Sequence, residues 1–467
     1  MTDSHPEVSV VICSVGRPAA LTLCIEGLAH LEDVTYEIVV VLGPGAETSV
    51  ADLAARPEIA TVVTSPERNL SLSRNLGADV ARGSFVAFID DDAYPSERWL
   101  ADLIPAFDDP EVGAVGGETL DYTGRTHQAV GSVCSLAGDS RPVLVPPTPG
   151  LSETPAARSF YYPIGTNLIV RAEALRSVGG FDEQYDYYHD ETDLARRLLD
   201  GGWIVRPLPR GHVFHKFLPS AIRGERRIAT DRRSIVVNRA YFAARHQAPA
   251  DGSAQVRSDF EAFADGQQDE LAEAESAGLV PSGTLERFVG DRAIATELLE
   301  QWLAHPPSPR RHAPLPSAVA VSRSAVLGRQ GSSVRHVALI GPDAVATPAV
   351  ETMAQRLVEA GCRVHLFEHG GTHSTVDLEA GVWRHRVAPG PGVDVLAGAV
   401  LPLAGVVDEL ARTHGEVIAL DLIVCDRPVA DALDSDSPLT IDLDALERCA
   451  TIPALLEALD RGRADAS

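Results

Sequence analysis

The chain has 467 residues, and its 66 acidic against 40 basic residues give a formal net charge of −26. That length calls for two or three units, each with a sizeable core, and the acidic balance argues against nucleic acid or an anionic membrane surface as a direct partner, since both need a basic face. The six cysteines (Cys13, Cys24, Cys134, Cys362, Cys425 and Cys449) are scattered, with no C-x-x-C pair and no His/Cys spacing that would hold zinc, so a reducing, cytoplasmic setting is expected.

In chain order, MTDSHPEVSV lacks the basic start and apolar core of a signal peptide. VSVVIC (8–13) is a continuous β-branched run, the pattern of a strand buried on both faces, and the segment after it has helical apolar spacing. YEIVVVLGPG (36–45) repeats strand then glycine turn. A helix around 48–56, a strand at 60–65, a helix over 71–83 and a strand at 84–89 follow. Strands alternating with helices predict an α/β fold whose mostly parallel sheet lies between helices, with ligands bound beyond the carboxyl ends of the strands.

Residues 111–170 read as short strands around a Pro-rich loop at 141–155, and DETDLARRLLDGG as a helix over 190–200 stopped by Gly201 and Gly202. Two further strands, in WIVRPLP and GHVFHKF, close the first unit near 245. An acidic, alanine-rich stretch at 246–304 reads as a helical appendix, and the Pro-, Ser- and Arg-rich 305–333 as a linker. Residues 334–467 open with strand, turn, helix and strand, a smaller Rossmann-like α/β unit, but the turn GPDAVAT is not G-x-G-x-x-G and supports no dinucleotide site. The apolar stretch 395–407 is too short to span a bilayer, so no transmembrane segment is expected.

Three constellations carry chemistry. Asp90, Asp91 and Asp92 end the strand FVAFI and repel one another unless a cation or abundant water sits beside them. They read either as a solvated turn capping the next helix or as a divalent metal site. Asp190, Glu191 and Asp193 crowd the first turn of the 190–200 helix, where the dipole and free N–H groups favour carboxylates; one of them is alternatively a general base for an acceptor hydroxyl. His212 and His215 read as structural residues or as the imidazole completing a metal site.

In this order, the segments VSVVICSVGRPAALTLCIEGL, ERNLSLSRNLGADVARGSFVAFIDDDAYPSERWL, IGTNLIVRAEALRSVGGFDEQY and HDETDLARRLLDGGW resemble the family-2 glycosyltransferases of the GT-A fold over roughly residues 8–217. The resemblance implies inverting transfer of a sugar from a nucleotide diphosphate donor to an acceptor hydroxyl on a glycan, lipid or small molecule, with Mn²⁺ or Mg²⁺ on the diphosphate. It places Asp90-Asp91-Asp92 at the D-x-D motif, with Asp92 as metal ligand and Asp90 near the ribose or metal. Glu191 stands where the catalytic base usually sits, with Asp190 the second choice, and His215 where a histidine completes the metal. Arg74 matches an arginine near the nucleotide, and the 13–18 turn, with Cys13, Ser14 and Arg17, the loop that cradles the nucleoside. Leu42 and Gly43 depart from the family's acidic turn after the second strand, which leaves the nucleotide base open. The C-terminal unit resembles the opening half of a GT-B glycosyltransferase.

Two alternatives compete. A sugar-1-phosphate nucleotidyltransferase shares the sheet but needs a G-x-G-T-R loop and a catalytic lysine, and Lys216 is the only lysine here. A catalytically impaired nucleotide-sugar-binding or scaffold protein accommodates the missing acidic turn, against which stand the retained aspartates and the Asp190/Glu191 pair.

Overall fold

The continuous apolar runs become the centre of an eight-stranded sheet. The computed structural model describes residues 5–147, 157–220, 222–224, 226, 228–311, 319–322, 325–328, 336–340, 346–369, 374–388, 409–410, 412–413, 422–425 and 439–442. The 341–345 turn, the 148–156 part of the Pro-rich loop and the apolar 395–407 stretch lie outside them. Strands β1 (Val8–Ser14), β2 (Tyr36–Leu42), β3 (Ile59–Thr64) and β4 (Phe85–Asp90) pair in parallel in the order β4-β1-β2-β3, with Ile12 opposite both Val40 and Ile89.

Two short strands follow, β5 (Ala93–Pro95) directly after the aspartates and β6 (Val112–Gly116), and β7 to β11 lie at Thr119–Leu120, His127–Ala129, Gly131–Ser135, Ser140–Val143 and Ser159–Tyr162. Strand β12 (Leu168–Arg171) runs antiparallel between β4 and β6, and β13 (Ile204–Pro207) completes that edge in parallel with β6. Strand β14 (Val213–His215) leaves the main sheet and joins β5, β7 and β8 in a small second one. The fold is the α/β, parallel-rich arrangement that the strand–helix alternation predicts.

Side chains of β1 alternate between two cores, as the period of two requires. Val8, Val10 and Ile12 pack with the helix Pro18–Leu28 and with Trp99, while Val11 packs with Val41, Phe88 and the helices Leu70–Val80 and Asp190–Asp200. Full burial of each such side chain contributes about 1.5–3 kcal/mol. Because β1 to β4 are parallel, their carboxyl ends (Ser14, Leu42, Thr64 and Asp90) share one edge, and the site lies there.

One buried polar node supports this sheet from the opposite end. Glu37, fully buried on β2, accepts from Ser9 Oγ at 2.6 Å, Arg82 Nε at 2.7 Å and the Arg82 amide at 2.8 Å. Glu37→Ala should therefore cost about 2 kcal/mol, the value of hydrogen bonds to a charged group, read as a lower midpoint in urea unfolding; an unchanged midpoint would show the node to be idle.

The helical appendix begins earlier than 246. Helix Arg233–Phe242 supplies Val236 and Ala240 to the core shared with helices Ser253–Ser276 and Thr284–Ala304, while its Tyr241 and Phe242 face the first unit. Within the stretch read as linker, β15 (Val319–Ser322) pairs antiparallel with β3, covering an edge that would otherwise invite strand pairing with another chain.

In the C-terminal unit, β16 (His336–Ile340), β17 (Arg363–His369), β18 (Thr375–Glu379), β19 (Val382–Val387), β20 (Leu422–Cys425) and β21 (Leu439–Asp442) form a sheet ordered β18-β19-β17-β16-β20-β21, parallel except at β18–β19. Helix Pro348–Glu359 is capped by Thr347, whose hydroxyl accepts from the Val350 amide at 3.3 Å. This unit docks on β5 and β14 through Trp383, whose ring is tilted against Tyr94 and Phe214 at centroid distances of 5.5 and 5.0 Å, and through Lys216 on Asp377 at 2.5 Å. Among the described residues, no helix is long and apolar enough to cross a membrane.

Candidate active site

The three aspartates have different surroundings. Asp91 points back into the fold, where its carboxylate accepts from Ser14 Oγ at 2.6 Å and pairs with Arg17. Burial pushes its carboxyl up to about 6, with Arg17 and Ser14 opposing. Asp92 accepts from Arg17 Nη1 and from the Leu218 amide, both at 2.8 Å and both on Oδ2. Burial raises this carboxyl, but His215, Arg17 and the Leu218 amide outweigh it and hold it well below the usual carboxylate range. Asp90 is one-third exposed, its backbone amide donating to Thr166 Oγ1 at 3.1 Å.

Pairing of β14 with β5 sets His215 opposite Ala93, one residue past Asp92. His215 Nε2 lies 3.6 Å from Asp92 Oδ1 and 4.0 Å from Asp90 Oδ2. One ligand atom from each of the three lies within 4.8 Å of the others. The Nδ1 of His215 donates to Gln128 Oε1 at 3.2 Å, so Nε2 is the nitrogen turned to the aspartates, and in the neutral ring it offers them a lone pair for a cation. His212 is elsewhere, with Nε2 2.9 Å from Glu118.

The acids at 190–193 separate in the same way. Tyr188 and His189 both have φ of 65°, a left-handed conformation costing about 1–2 kcal/mol per residue, and they aim the first helical turn at the cleft. Asp190, buried, pairs with Arg74, whose Nη2 also lies 3.6 Å from Asp90. Gly165 is required beside it, because a Cβ there would sit 2.5 Å from the guanidinium. Glu191 is partly exposed, and burial together with the charge and hydrogen bond of Asp190 raises its carboxyl well above the ordinary value. Asp193 turns inward to Arg197 at 2.6 Å, His246 at 2.9 Å and Arg245 at 3.1 Å, so it anchors the helix.

A cleft of about 520 Å³ adjoins these groups, lined by Cys13, Ser14, Arg17, Gly43, Asn69 and Tyr187 among others. Burial pushes the Cys13 thiol up to about 12, so it stays protonated. Tyr187 and the loop carrying Ser220 and Ile222 close one side, with Arg223 donating to the Tyr187 hydroxyl at 2.7 Å. Structure thus brings together Asp90, Asp92 and His215, and separately Arg74, Asp190 and Asp90; Asp91 and Ser14 support them from behind. Gln128 and Tyr187 are absent from the sequence reading. Asn69 carried a signal, as the cap of a leucine-rich helix, whereas Gln128 lies in the irregular 111–170 region and acts only through space.

Residues 9–142 match the family model described as Glycosyl transferase family 2, and residues 85–233 the one described as Glycosyl transferase family group 2. The pre-mycofactocin glycosyltransferase of Mycobacterium tuberculosis is 28% identical over 220 residues, 45% of this chain and 43% of its own length. The N-acetylglucosaminyl-diphospho-decaprenol L-rhamnosyltransferase of the same organism is 32% identical over 138 residues, 26% of this chain and 45% of its own. The chain therefore spans less than half the length of these curated relatives. The mannosyltransferase PcManGT from Pyrobaculum calidifontis, solved with GDP-Man and Mn²⁺, aligns over 64% of this chain and 84% of its own at 17% identity, with a TM-score of 0.37 that carries no argument by itself.

Proposed function

We propose, from the matches of residues 9–142 and 85–233 to the two glycosyl transferase family models, that this region moves a sugar from a nucleoside diphosphate donor to an acceptor hydroxyl, inverting the anomeric centre, with a divalent cation held by Asp90, Asp92 and His215. The observation that carries this reading is the convergence of that trio with the Asp190/Glu191 pair at the carboxyl edge of the sheet.

The residues fit a hard divalent ion such as Mn²⁺ or Mg²⁺ in two respects. Two carboxylates and a neutral imidazole form a suitable donor set, with the free nitrogen selected by Gln128. Among the described residues, the four carboxylates of Asp90, Asp91, Asp92 and Asp190 share the two guanidiniums of Arg17 and Arg74, with the His215 imidazole beside them, which is an electrostatic setting that favours a cation. When bound, such an ion neutralises the charge that gathers on the departing diphosphate.

The chain's own groups do the rest. Arg17 fixes Asp91 and Asp92 and faces the cleft beside the nucleoside loop. Arg74 ties the aspartate loop to the helix bearing the base, so donor and acceptor chemistry share one rigid frame. Glu191, its proton affinity raised, takes the acceptor proton as the new bond forms. A single displacement needs no covalent nucleophile, in keeping with the protonated Cys13 thiol. We place the reaction in the cytoplasm, in keeping with the free Cys13, Cys24 and Cys134. The relatives' names differ in acceptor, so glycan, lipid and small molecule all stay open.

A thermal-shift panel of UDP-, GDP- and TDP-sugars with and without Mn²⁺ tests the reading. One nucleotide class should raise the melting temperature only when metal is present, and product analysis should then show transfer. If no donor gives a metal-dependent shift, the proposal fails; a shift without transfer to any acceptor favours a binding protein.

A further inference from the structure

A second trio lies where the C-terminal sheet meets the first domain. Glu97 follows β5 by two residues, His336 opens β16, and His365 lies on the adjacent β17. All three are buried, at 1%, 5% and 2% exposure, and one ligand atom from each lies within 4.8 Å of the other two.

Hydrogen bonds around the trio decide where its protons sit. Glu409 is held by Arg125 at 2.8 Å and Arg412 at 2.7 Å, and His385 and Arg412 keep its carboxyl down at about 2 against the effect of burial. As a carboxylate it can only accept, so the 3.2 Å contact from His385 Nδ1 is a donation to it. The other nitrogen of His385, Nε2, is then bare and accepts from His365 Nδ1 at 3.2 Å. With both rings neutral, His365 Nε2 in turn carries only a lone pair. It faces Glu97 Oε1 at 3.8 Å, too long for a hydrogen bond, and neither atom has a hydrogen-bond partner.

Two electron-pair donors facing each other in a dry joint are costly unless a proton or a metal ion lies between them. His336 is oriented from behind, its Nε2 meeting Glu32 Oε2 at 3.1 Å in a carboxylate–histidine pairing of the kind that fixes a ligating ring.

We infer that Glu97, His336 and His365 form a structural zinc site that joins the C-terminal unit to the first domain. Two imidazoles and one carboxylate suit Zn²⁺, whereas the oxygen-rich trio at Asp90, Asp92 and His215 suits a harder ion. Tetrahedral Zn²⁺ holds its ligand atoms roughly 3.4 Å apart, so 3.8 Å closes with a small movement. A cavity of about 10 Å³, the size of a single water, lies beside Glu97 and His365, bordered also by Phe214, Trp383 and His385. Glu97 comes five residues after Asp92, so the joint is fastened to the loop that carries the aspartates.

The test is metal content by mass spectrometry on the full chain after Zn²⁺ loading and exhaustive dialysis, with the visible spectrum of the Co²⁺-substituted protein. The unaltered protein and Asp92→Asn should each retain one zinc per chain and give a tetrahedral Co²⁺ spectrum. His365→Asn and Glu97→Gln should lose at least ten-fold in zinc affinity, and His365→Cys, which restores a ligand, should retain the metal with an altered Co²⁺ spectrum. Chelation should lower the melting temperature by several degrees, reversed by Zn²⁺ and not by Mg²⁺. Absence of retained zinc in the unaltered protein, or a full equivalent in His365→Asn, overturns the inference, and the first result needs no variant to fold.

Discussion

Asp92→Asn should lower sugar transfer by about 10³-fold and abolish the dependence of donor binding on Mn²⁺, with the chain still folded. The substitution keeps the shape of the side chain, and an asparagine oxygen can still accept the Leu218 amide that Asp92 holds at 2.8 Å. What disappears is the negative charge that faces His215 Nε2 and pairs with Arg17. Loss of an outer group around a metal costs about 10- to 100-fold in affinity, so loss of a ligand should cost at least the upper figure. Asp91→Asn is the control that the geometry supplies, because Asp91 is turned away and bonded to Ser14 and Arg17. It should weaken the loop and reduce transfer far less than Asp92→Asn. Calorimetric Mn²⁺ titration in the presence of donor separates the two. Equal metal affinity in Asp92→Asn and the unaltered protein would remove Asp92 from the metal site.

The contrast between these neighbours shows what was legible from residue order. Strands β1, β2 and β4 were readable because full burial on both faces demands long β-branched runs, and their carboxyl edge then located the aspartates. Repulsion within the triplet announced that positive charge must be near, and the 190–200 helix announced its acids by their crowding. Which carboxylate faced where was not readable. Asp91 and Asp92 differ by one position, yet Ser14 takes one and His215 the other, and both partners arrive from other strands. Likewise helix capping accounts for Asp193 in the sequence, whereas the helix phase turns it towards Arg197, Arg245 and His246. The Glu97, His336 and His365 trio could not be found by ligand spacing at all, since its members lie in two units and only docking unites them. Linker strand β15 was hidden for a related reason: an edge strand gains its partner from the sheet, and a Pro/Ser/Arg-rich composition around it says nothing of pairing.

Glu191→Gln should lose transfer by about 10³-fold while donor and metal binding persist, the signature of removing a proton acceptor and nothing else. Its pH behaviour adds a sharper check. Burial and the neighbouring Asp190 raise the Glu191 carboxyl above its ordinary value in the folded chain. Between the ordinary and the raised value the folded state therefore binds more protons than the unfolded one, so this group's contribution to stability falls as pH rises through that window. Above the window the charged carboxylate is a standing cost to the fold, which glutamine, permanently neutral, does not incur. The variant should then be at least as stable as the unaltered protein at neutral pH, with a flatter stability profile above the ordinary carboxylate range. Transfer by the unaltered protein should rise with pH across the same window, as the base form of the Asp190/Glu191 pair becomes populated. Inactivity combined with preserved or higher stability would exclude misfolding as the cause. A variant that stays fully active moves the proton acceptor to Asp190, which Arg74 already holds in the same frame.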